Sequence, residues 1–219
     1  MKKVLLLALL MPLLIFAQSN SIETSELSQA QLKADTATIS VSIKYGVEDE
    51  DLQTLYDFEN VNQTEFFFKG EAIQGKYYVL RIKEFLNGEL INTSILFDER
   101  GTEFFKIDSS ETSFKMLSKV GRDDIKFWIR GERYGSKQSF FPVMHENGRY
   151  VAKDFFGSKK ILKENADDSF HIMSIITPNR NPDGSGSYCR VAQSEIDPEN
   201  FGKEFNIPHY YLVEIEFME

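Results

Sequence analysis

Apolar and polar residues alternate at a period of two through much of the chain. In the segment "ATISVSIKY" (37–45), Ile39, Val41 and Ile43 alternate with threonine, serine and lysine. Successive side chains of a β-strand point to opposite faces, so this alternation predicts a strand with one buried face. The pattern therefore indicates β-structure from about residue 38 onward.

Two further runs of this kind are joined by the dipeptide Asn87-Gly88. The runs are "KYYVLRIKEFL" (76–86) and "ELINTSILF" (89–97). Asn-Gly suits a type I′ turn, because both central residues of that turn need a positive φ. We therefore expect strands 76–86 and 89–97 to pair antiparallel, with Asn87-Gly88 at the tip of a hairpin.

The rest of the chain also consists of short apolar runs separated by turn residues. Turn signals occur at 98–101, 121–124 and 147–148. Many short strands with evenly spaced turns are typical of a sandwich or barrel. Helical patterns are confined to "EDEDLQTLYDF" (48–58) and "DPENFGKEF" (197–205). The sequence therefore predicts an all-β protein, an antiparallel β-sandwich with one or two short helices, as a single domain over residues 36–219.

The N-terminus has a different composition from this body. Lys2 and Lys3 precede an apolar stretch that ends at Phe16, and Ala17 offers a small residue for cleavage. This is the pattern of a secretory signal peptide, whereas an uncleaved membrane anchor would need ~20 apolar residues. We expect a signal peptide over 1–17, no lipid-modified cysteine after it, and a flexible tether over 18–35. The mature protein is then secreted or periplasmic, with no transmembrane segment.

Charge narrows the range of partners. The chain carries 25 Lys and Arg residues against 34 Asp and Glu residues, a formal net charge of −9 at pH 7. Nucleic-acid binders need a basic surface, so this balance excludes a nucleic-acid partner. The single cysteine, Cys189, cannot form an internal disulfide. It is either a small buried residue or the source of a disulfide between chains.

The sequence contains no recognisable catalytic motif. It lacks G-x-S-x-G, S-x-x-K and C-x-x-C, and His145-Glu146 lacks the second histidine of H-E-x-x-H. The three histidines, His145, His171 and His209, lie far apart, unlike the closely spaced ligands of most metal sites. We therefore expect no cofactor, no metal and no catalytic residue. Carboxylates are numerous, however, and leave a hydrolytic pair as an alternative.

One loop, "TPNRNPDGSGSYC" (177–189), has part of the spacing of a calcium loop. Asn179, Asn181, Asp183 and Gly184 match the first ligand positions and the turn glycine of an EF-type loop, but Arg190 stands where a bidentate Glu is required. Asn-Pro-Asp-Gly is also an ordinary turn sequence. We interpret the loop as a turn rather than a metal site.

Aromatic residues supply the candidate binding surface. They make up 13% of the chain, and most are Phe, which fills cores because it cannot hydrogen-bond. Each of the pairs Tyr77-Tyr78 and Tyr210-Tyr211 puts one ring on each face of a strand, so one ring of each pair is expected to be exposed. We predict binding residues at Tyr77, Tyr210 and Trp128. The ring of Trp128, the only tryptophan, either packs in the core or faces outward.

Four segments carry a resemblance to other proteins. They are "YDFENV" (56–61), "GKYYVLRIKEFLNGEL" (75–90), "FFKIDSSETSFKML" (104–117) and "FGKEFNIPHYYLVEIEF" (201–217). They resemble uncharacterised secreted Bacteroidota proteins that contain a domain of unknown function. The likeness implies a β-sandwich and secretion, and it implies no activity.

A shorter likeness concerns "DTA" (35–37), just ahead of the first predicted strand. It matches the Asp-Ser/Thr-small pattern on which Bacteroidota attach O-glycans to exported proteins. The likeness implies that Thr36 is a glycosylation site. An ordinary strand start is the alternative.

These observations favour a secreted or periplasmic, non-enzymatic β-sandwich that binds an envelope protein or a glycan. The alternative is an extracellular hydrolase that uses a carboxylate pair. The two hypotheses predict different surfaces. A hydrolase needs a deep cleft with facing acids, whereas a binding module needs a shallow surface lined by aromatic rings.

Overall fold

Strands dominate the chain, as the alternating pattern predicts. The structure, a computed structural model, describes residues 37–144, 149–180, 183, 185–188 and 196–219. The strands are β1 Thr38–Tyr45, β2 Val61–Lys69, β3 Tyr77–Leu86, β4 Glu89–Asp98, β5 Glu111–Val120, β6 Asp124–Arg130, β7 Ser139–Pro142, β8 Val151–Lys153, β9 Leu162–Asn165, β10 Phe170–Ile176, β11 Asn179–Arg180, β12 Gly186–Ser187 and β13 His209–Met218. The helices are α1 Glu50–Phe58 and α2 Phe201–Phe205, and single 3₁₀ turns span Glu71–Ile73, Glu103–Phe105 and Pro198–Asn200.

Two antiparallel sheets form a sandwich. The first has six strands in the order β7-β6-β5-β2-β1-β9, and the second has five in the order β4-β3-β13-β10-β8. Buried apolar residues from both sheets form one core between them. The rings of Phe114 on β5 and Tyr78 on β3, for example, stack across the two layers with centroids 5.3 Å apart. The predicted all-β antiparallel sandwich with two short helices is confirmed.

The inner face of the six-stranded sheet follows directly from the period-two pattern. Ile39 and Val41 on β1 are buried, and so are Phe66 and Phe68 on β2. Ser40 on β1 and Phe67 on β2 lie between these residues and face outward in the alternation of a strand. Burying an apolar side chain of this size stabilises the fold by about 1.5–3 kcal/mol. Repetition of this gain along each strand fixes the register, because a slip of one residue would turn the apolar set outward.

The predicted hairpin is confirmed. Strands β3 and β4 pair antiparallel, and Asn87 and Gly88 have φ values of 52° and 81°. Both central residues thus have the positive φ that a type I′ turn requires. The tip rests on α2, where a Cβ on Gly202 would lie 2.4 Å from the Cα of Gly88. Glycine at both positions lets the two backbones meet.

Both predicted helical patterns form helices. The side chain of Asp49 caps α1 by accepting a hydrogen bond from the Leu52 amide at 2.8 Å, and no residue of α1 is buried. Asp197 accepts from the Glu199 amide at 3.0 Å and caps the 3₁₀ turn that leads into α2. No helix among the described residues is long and apolar enough to cross a membrane.

The tyrosine pairs are buried on both sides of their strands, which corrects the expectation of one exposed ring in each. Tyr77 is 9% exposed, and Tyr210 and Tyr211 are completely buried. The physical reason is that β13 lies at the centre of its sheet and α2 covers the outer face there. The rings of Tyr210 and Phe85 stack under this cover, 4.7 Å apart.

Several predictions concern residues outside the described part of the chain. They are the signal peptide over 1–17, the tether over 18–35 and the glycosylation site at Thr36, together with His145, Asn181, Gly184, Cys189 and Arg190.

Candidate binding pocket

A pocket of about 620 Å³ lies against strands β1, β2 and β5 of the six-stranded sheet. Strands β1 and β2, the beginnings of β3 and β5, the 3₁₀ turn Glu103–Phe105 and the loop after β6 all contribute to its wall. Phe67 and Phe104 line the pocket and are 38% and 50% exposed. The pocket therefore combines an open mouth with a wall assembled from segments that are distant in sequence.

A continuous row of aromatic rings runs from the core to this mouth. The rings of Tyr78 and Phe97 stack 5.1 Å apart, and Phe97 stacks in turn on Tyr134 at 5.1 Å. Phe105 meets Tyr134 edge-on at 5.2 Å, and Phe104 meets Phe105 edge-on at 5.0 Å. Stacked and edge-to-face pairs restrict each ring to a narrow range of orientations. The aromatic wall is therefore preformed.

Two tyrosine hydroxyls in this wall have no hydrogen-bond partner among the described residues. They are the hydroxyls of Tyr78 and Tyr134, and both oxygen atoms are buried. Burial without a partner costs about 1–3 kcal/mol for each hydroxyl. Burial also raises the pKa of Tyr134, so its hydroxyl stays protonated at neutral pH. Both tyrosines line the pocket, and their hydroxyls keep the capacity to donate and accept hydrogen bonds.

The position of Tyr134 depends on close packing against a glycine. A Cβ placed on Gly131 would lie 2.1 Å from Cε1 of the Tyr134 ring. Any side chain at residue 131 would therefore displace the Tyr134 ring. The loop "GERYGSK" (131–137) thus owes part of its conformation to the absence of a side chain at its first residue.

The charged side chains around the pocket balance. Its described lining contains three cations and three anions: Lys69, Lys106, Arg133, Asp108, Glu111 and Glu132. Lys69 and Glu111 form an ion pair with each other. The Arg133 guanidinium lies over the Phe104 ring, 5.2 Å from its centroid. The rim therefore offers no net charge to attract an ionic ligand.

A second pocket, of about 750 Å³, lies between the end of α1 and the β5–β6 turn. None of the three unpartnered buried polar atoms of the described residues belongs to its lining. The pocket with the two free tyrosine hydroxyls is therefore the stronger candidate for a ligand site.

A buried polar network connects the two sheets elsewhere. Nε2 of His209 lies 3.1 Å from Oε1 of Glu84, and Nδ1 of His209 contacts the Tyr150 hydroxyl. The Tyr211 hydroxyl lies 3.1 Å from the same Glu84 oxygen and 2.7 Å from the Pro142 carbonyl oxygen on the opposite sheet. None of the four polar side chains is more than 6% exposed. A histidine, a glutamate and two tyrosines could form a proton relay. These side chains are buried away from solvent, however, so we interpret the network as a structural connection between the sheets.

A charged cluster lies on the outer face of the five-stranded sheet. The Lys83 ammonium lies 2.8 Å from Oε1 of Glu199 and 2.7 Å from Oε2 of Glu214. Nε2 of His171 lies 3.7 Å and 3.9 Å from the same two oxygens and makes no hydrogen bond to the described residues. Burial, and secondarily Lys83, lower the pKa of His171, so the imidazole is neutral at neutral pH.

The predicted binding residues lie outside the pocket. Tyr77 and Tyr210 are buried. Trp128 is half-buried and faces outward, which decides between the two alternatives for its ring. Its Nε1–H donates to the Ser136 carbonyl at 2.9 Å, and the Arg130 guanidinium lies 5.8 Å from its ring. No structural observation tests binding by these three residues, and their binding role stays a prediction.

The described part of the proposed turn at 177–189 forms a small hairpin. Strands β11 and β12 pair antiparallel. Asp183 Oδ1 accepts a hydrogen bond from the Ser185 amide at 2.9 Å, and Asn179 Oδ1 accepts from the Ser187 amide at 3.0 Å. Both side chains support the turn through local hydrogen bonds, as Asn and Asp commonly do.

Sequence reasoning missed the residues that the fold brings together. In the sequence, Tyr78 differs from Tyr77 only by one position in an alternating strand. Tyr134 carries one local signal, its place between Gly131 and Gly135 in a loop. Glu199 and Glu214 carry none, because many other carboxylates have similar surroundings in the sequence.

No family model, no curated protein and no solved structure matches the chain. The resemblance to secreted Bacteroidota proteins therefore stays a prediction.

Proposed function

We propose that this chain is an exported, non-enzymatic β-sandwich that binds a neutral carbohydrate chain in the pocket lined by Tyr78 and Tyr134. The observation that carries the proposal is the pair of buried tyrosine hydroxyls without partners in an aromatic wall. Sugars have apolar C–H faces that pack on aromatic rings and hydroxyl groups that donate and accept hydrogen bonds. Export rests on the predicted signal peptide over 1–17.

The two tyrosines favour a polar ligand over a purely apolar one. An apolar ligand would leave both hydroxyls unpaired in a site with even less water. Sites whose buried polar groups match ligand hydroxyls discriminate strongly against ligands that lack them. The balanced rim favours a neutral ligand over an ionic one, since three cations face three anions. A neutral, polyhydroxylated ligand satisfies both conditions.

The hydrolase alternative would use the carboxylates of Glu199 and Glu214, which lie close together among the described residues. Ligand oxygens of the two lie within 4.8 Å of one another. Glycoside hydrolases hold their two carboxyl groups about 5–9.5 Å apart and need one of them protonated. Here the Lys83 ammonium bonds to both carboxylates, so a side chain of the protein already lies against the pair. Neither residue lines the aromatic pocket, so binding is the better supported function.

A glycan array tests the proposal. The full chain is probed against immobilised neutral and acidic oligosaccharides beside the variant Tyr78→Phe/Tyr134→Phe, which keeps both rings and removes both hydroxyls. We expect wild type to bind neutral glycans. We expect the variant to bind them at least about fivefold more weakly, because two lost hydrogen bonds of about 0.5–1.5 kcal/mol each give this effect.

Tyr45→Phe is the matched control, since Tyr45 is 53% exposed and does not line the pocket. It is expected to bind like wild type. Binding of no neutral glycan, or equal binding by the double variant, would show that the pocket is not a carbohydrate site.

A further inference from the structure

We propose a divalent transition-metal site, of the kind that takes Zn²⁺, formed by His171, Glu199 and Glu214 on the outer face of the five-stranded sheet. One ligand atom from each residue lies within 4.8 Å of the other two. An imidazole nitrogen with two carboxylate oxygens is a donor set that suits zinc and its neighbours in the first transition row. The site is separate from the aromatic pocket and does not depend on the carbohydrate proposal.

The imidazole nitrogen is the strongest part of the evidence. Nε2 of His171 is buried, has no hydrogen-bond partner among the described residues and lies within 4 Å of both carboxylates. The pairing of β10 with β13 shifts its register between His171 and Met173, and this irregularity sets His171 opposite Glu214. Such bulges commonly re-aim a side chain beside a functional site. The fold thus places an unpartnered ring nitrogen close to two carboxylates.

Neighbouring side chains position the two acidic residues. Oε1 of Glu214 lies 3.8 Å from the Arg81 guanidinium, which leaves Oε2 directed toward His171. The carbonyl oxygen of Glu199 accepts a hydrogen bond from the Tyr210 hydroxyl at 2.9 Å. Partners of this kind orient metal ligands and contribute to affinity. The Glu199 side chain is 39% exposed, so an ion can enter from solvent on that side.

Lys83 shows that the cluster already holds a cation. Its ammonium bonds to one oxygen of each carboxylate, in the place where an ion would bridge them. A lysine side chain is a flexible stem with a compact charge, so it can swing outward as a metal enters. Metal binding is therefore an exchange of Lys83 for the ion. Nε2 of His171 then supplies a ligand that the lysine does not use.

The test uses the full chain without a polyhistidine tag, freed of metal by a chelator and dialysed. ZnCl₂ is titrated by isothermal calorimetry, and CoCl₂ is followed by its visible absorption. Wild type is expected to bind one ion. Glu199→Gln and His171→Asn are expected to bind at least about tenfold more weakly, because even partners behind the ligands contribute that much. Lys83→Met is expected to bind more tightly than wild type, since the competing ammonium is gone.

Glu89→Gln is the matched control, because Glu89 is an exposed acid on β4 and does not belong to the trio. Glu199→Gln changes a partly exposed residue and preserves the test if His171→Asn fails to fold. The proposal is overturned if wild type binds no zinc, if only Lys83→Met binds it, or if Glu199→Gln and Glu89→Gln weaken binding equally.

Discussion

A buried tyrosine hydroxyl adds to stability only when it has a partner, and this core contains both situations. The Tyr211 hydroxyl lies within hydrogen-bond distance of Glu84 and of the Pro142 carbonyl. The hydroxyls of Tyr78 and Tyr134 have no partner among the described residues. The same deletion of one oxygen atom should therefore have opposite consequences at these positions.

We expect Tyr211→Phe to lower the free energy of unfolding by about 1–3 kcal/mol, because it leaves buried acceptors unpaired. Tyr78→Phe should leave the free energy of unfolding unchanged or raise it slightly. Denaturant unfolding followed by the fluorescence of Trp128, the only tryptophan, measures both. An equal loss in the two variants would mean that the Tyr78 hydroxyl already has a partner, and the case for the pocket would lose its basis.

At the scale of elements, local signals were predictable and distant pairings were not. The β3–β4 hairpin follows from Asn87-Gly88 because turn geometry depends on those two residues alone. The position of β13 in its sheet does not follow from any local signal, because this last strand inserts between β3 and β10. That insertion, together with the cover of α2, buries Tyr210, which alternation alone predicts as half-exposed.

The hairpin tip allows a test that separates backbone strain from steric contact. Gly88 and Gly101 have nearly equal φ values of 81° and 83°. A Cβ on Gly88 would meet Cγ of Lys203 at 2.8 Å, whereas a Cβ on Gly101 would meet nothing within 4 Å. We expect Gly101→Ala to lower the free energy of unfolding by about 1 kcal/mol, because alanine disfavours the left-handed conformation. Gly88→Ala should cost clearly more, as measured by thermal or denaturant unfolding. Equal costs would show that the tip does not press on α2.

Edge strand β9 carries an acid that faces the sandwich. Glu164 pairs with the buried Ile39 of β1, and burial raises the pKa of its carboxyl. A raised folded-state pKa means that the folded protein binds the proton more tightly than the unfolded chain. The resulting stability is fully present below the unfolded pKa and is lost as pH rises through the folded value. Ionised Glu164 therefore weakens the fold at neutral pH.

We expect Glu164→Gln to be more stable than wild type at pH 7, by an amount that shrinks as the pH falls toward 4. Unfolding curves at both pH values measure the difference, and Glu89→Gln, an exposed acid on the hairpin, serves as the control. A variant less stable than wild type at pH 7 would show that the carboxylate has a favourable partner.

For the whole molecule, the fold class could be predicted and the sites could not. Period-two alternation and turn spacing indicate a sandwich because both are local. The aromatic pocket joins Tyr78, on a strand, to Tyr134, in a loop 56 positions later. The charged cluster joins His171, Glu199 and Glu214 through the pairing of strands and a 3₁₀ turn. Such constellations depend on topology, which no single segment of this sequence encodes.

The shared core predicts that both sheets unfold together. Buried residues of each sheet belong to one apolar cluster, and the Tyr211 hydroxyl reaches from one sheet to the Pro142 carbonyl of the other. Trp128 fluorescence reports on the six-stranded sheet alone, whereas far-ultraviolet circular dichroism reports on all strands. We expect the two transitions to coincide in denaturant. An earlier fluorescence transition would show that the sheets separate first.

The central claim is that a ligand enters the pocket lined by Tyr78 and Tyr134. The most direct measurement is ¹H–¹³C NMR of wild-type protein labelled at its tyrosine and phenylalanine rings, during titration with a soluble mixture of neutral oligosaccharides. The account predicts saturable shifts for Tyr78, Tyr134 and Phe104, with Tyr45 unchanged. Shifts confined to other rings, or no shift for any ring at saturating sugar, would contradict it.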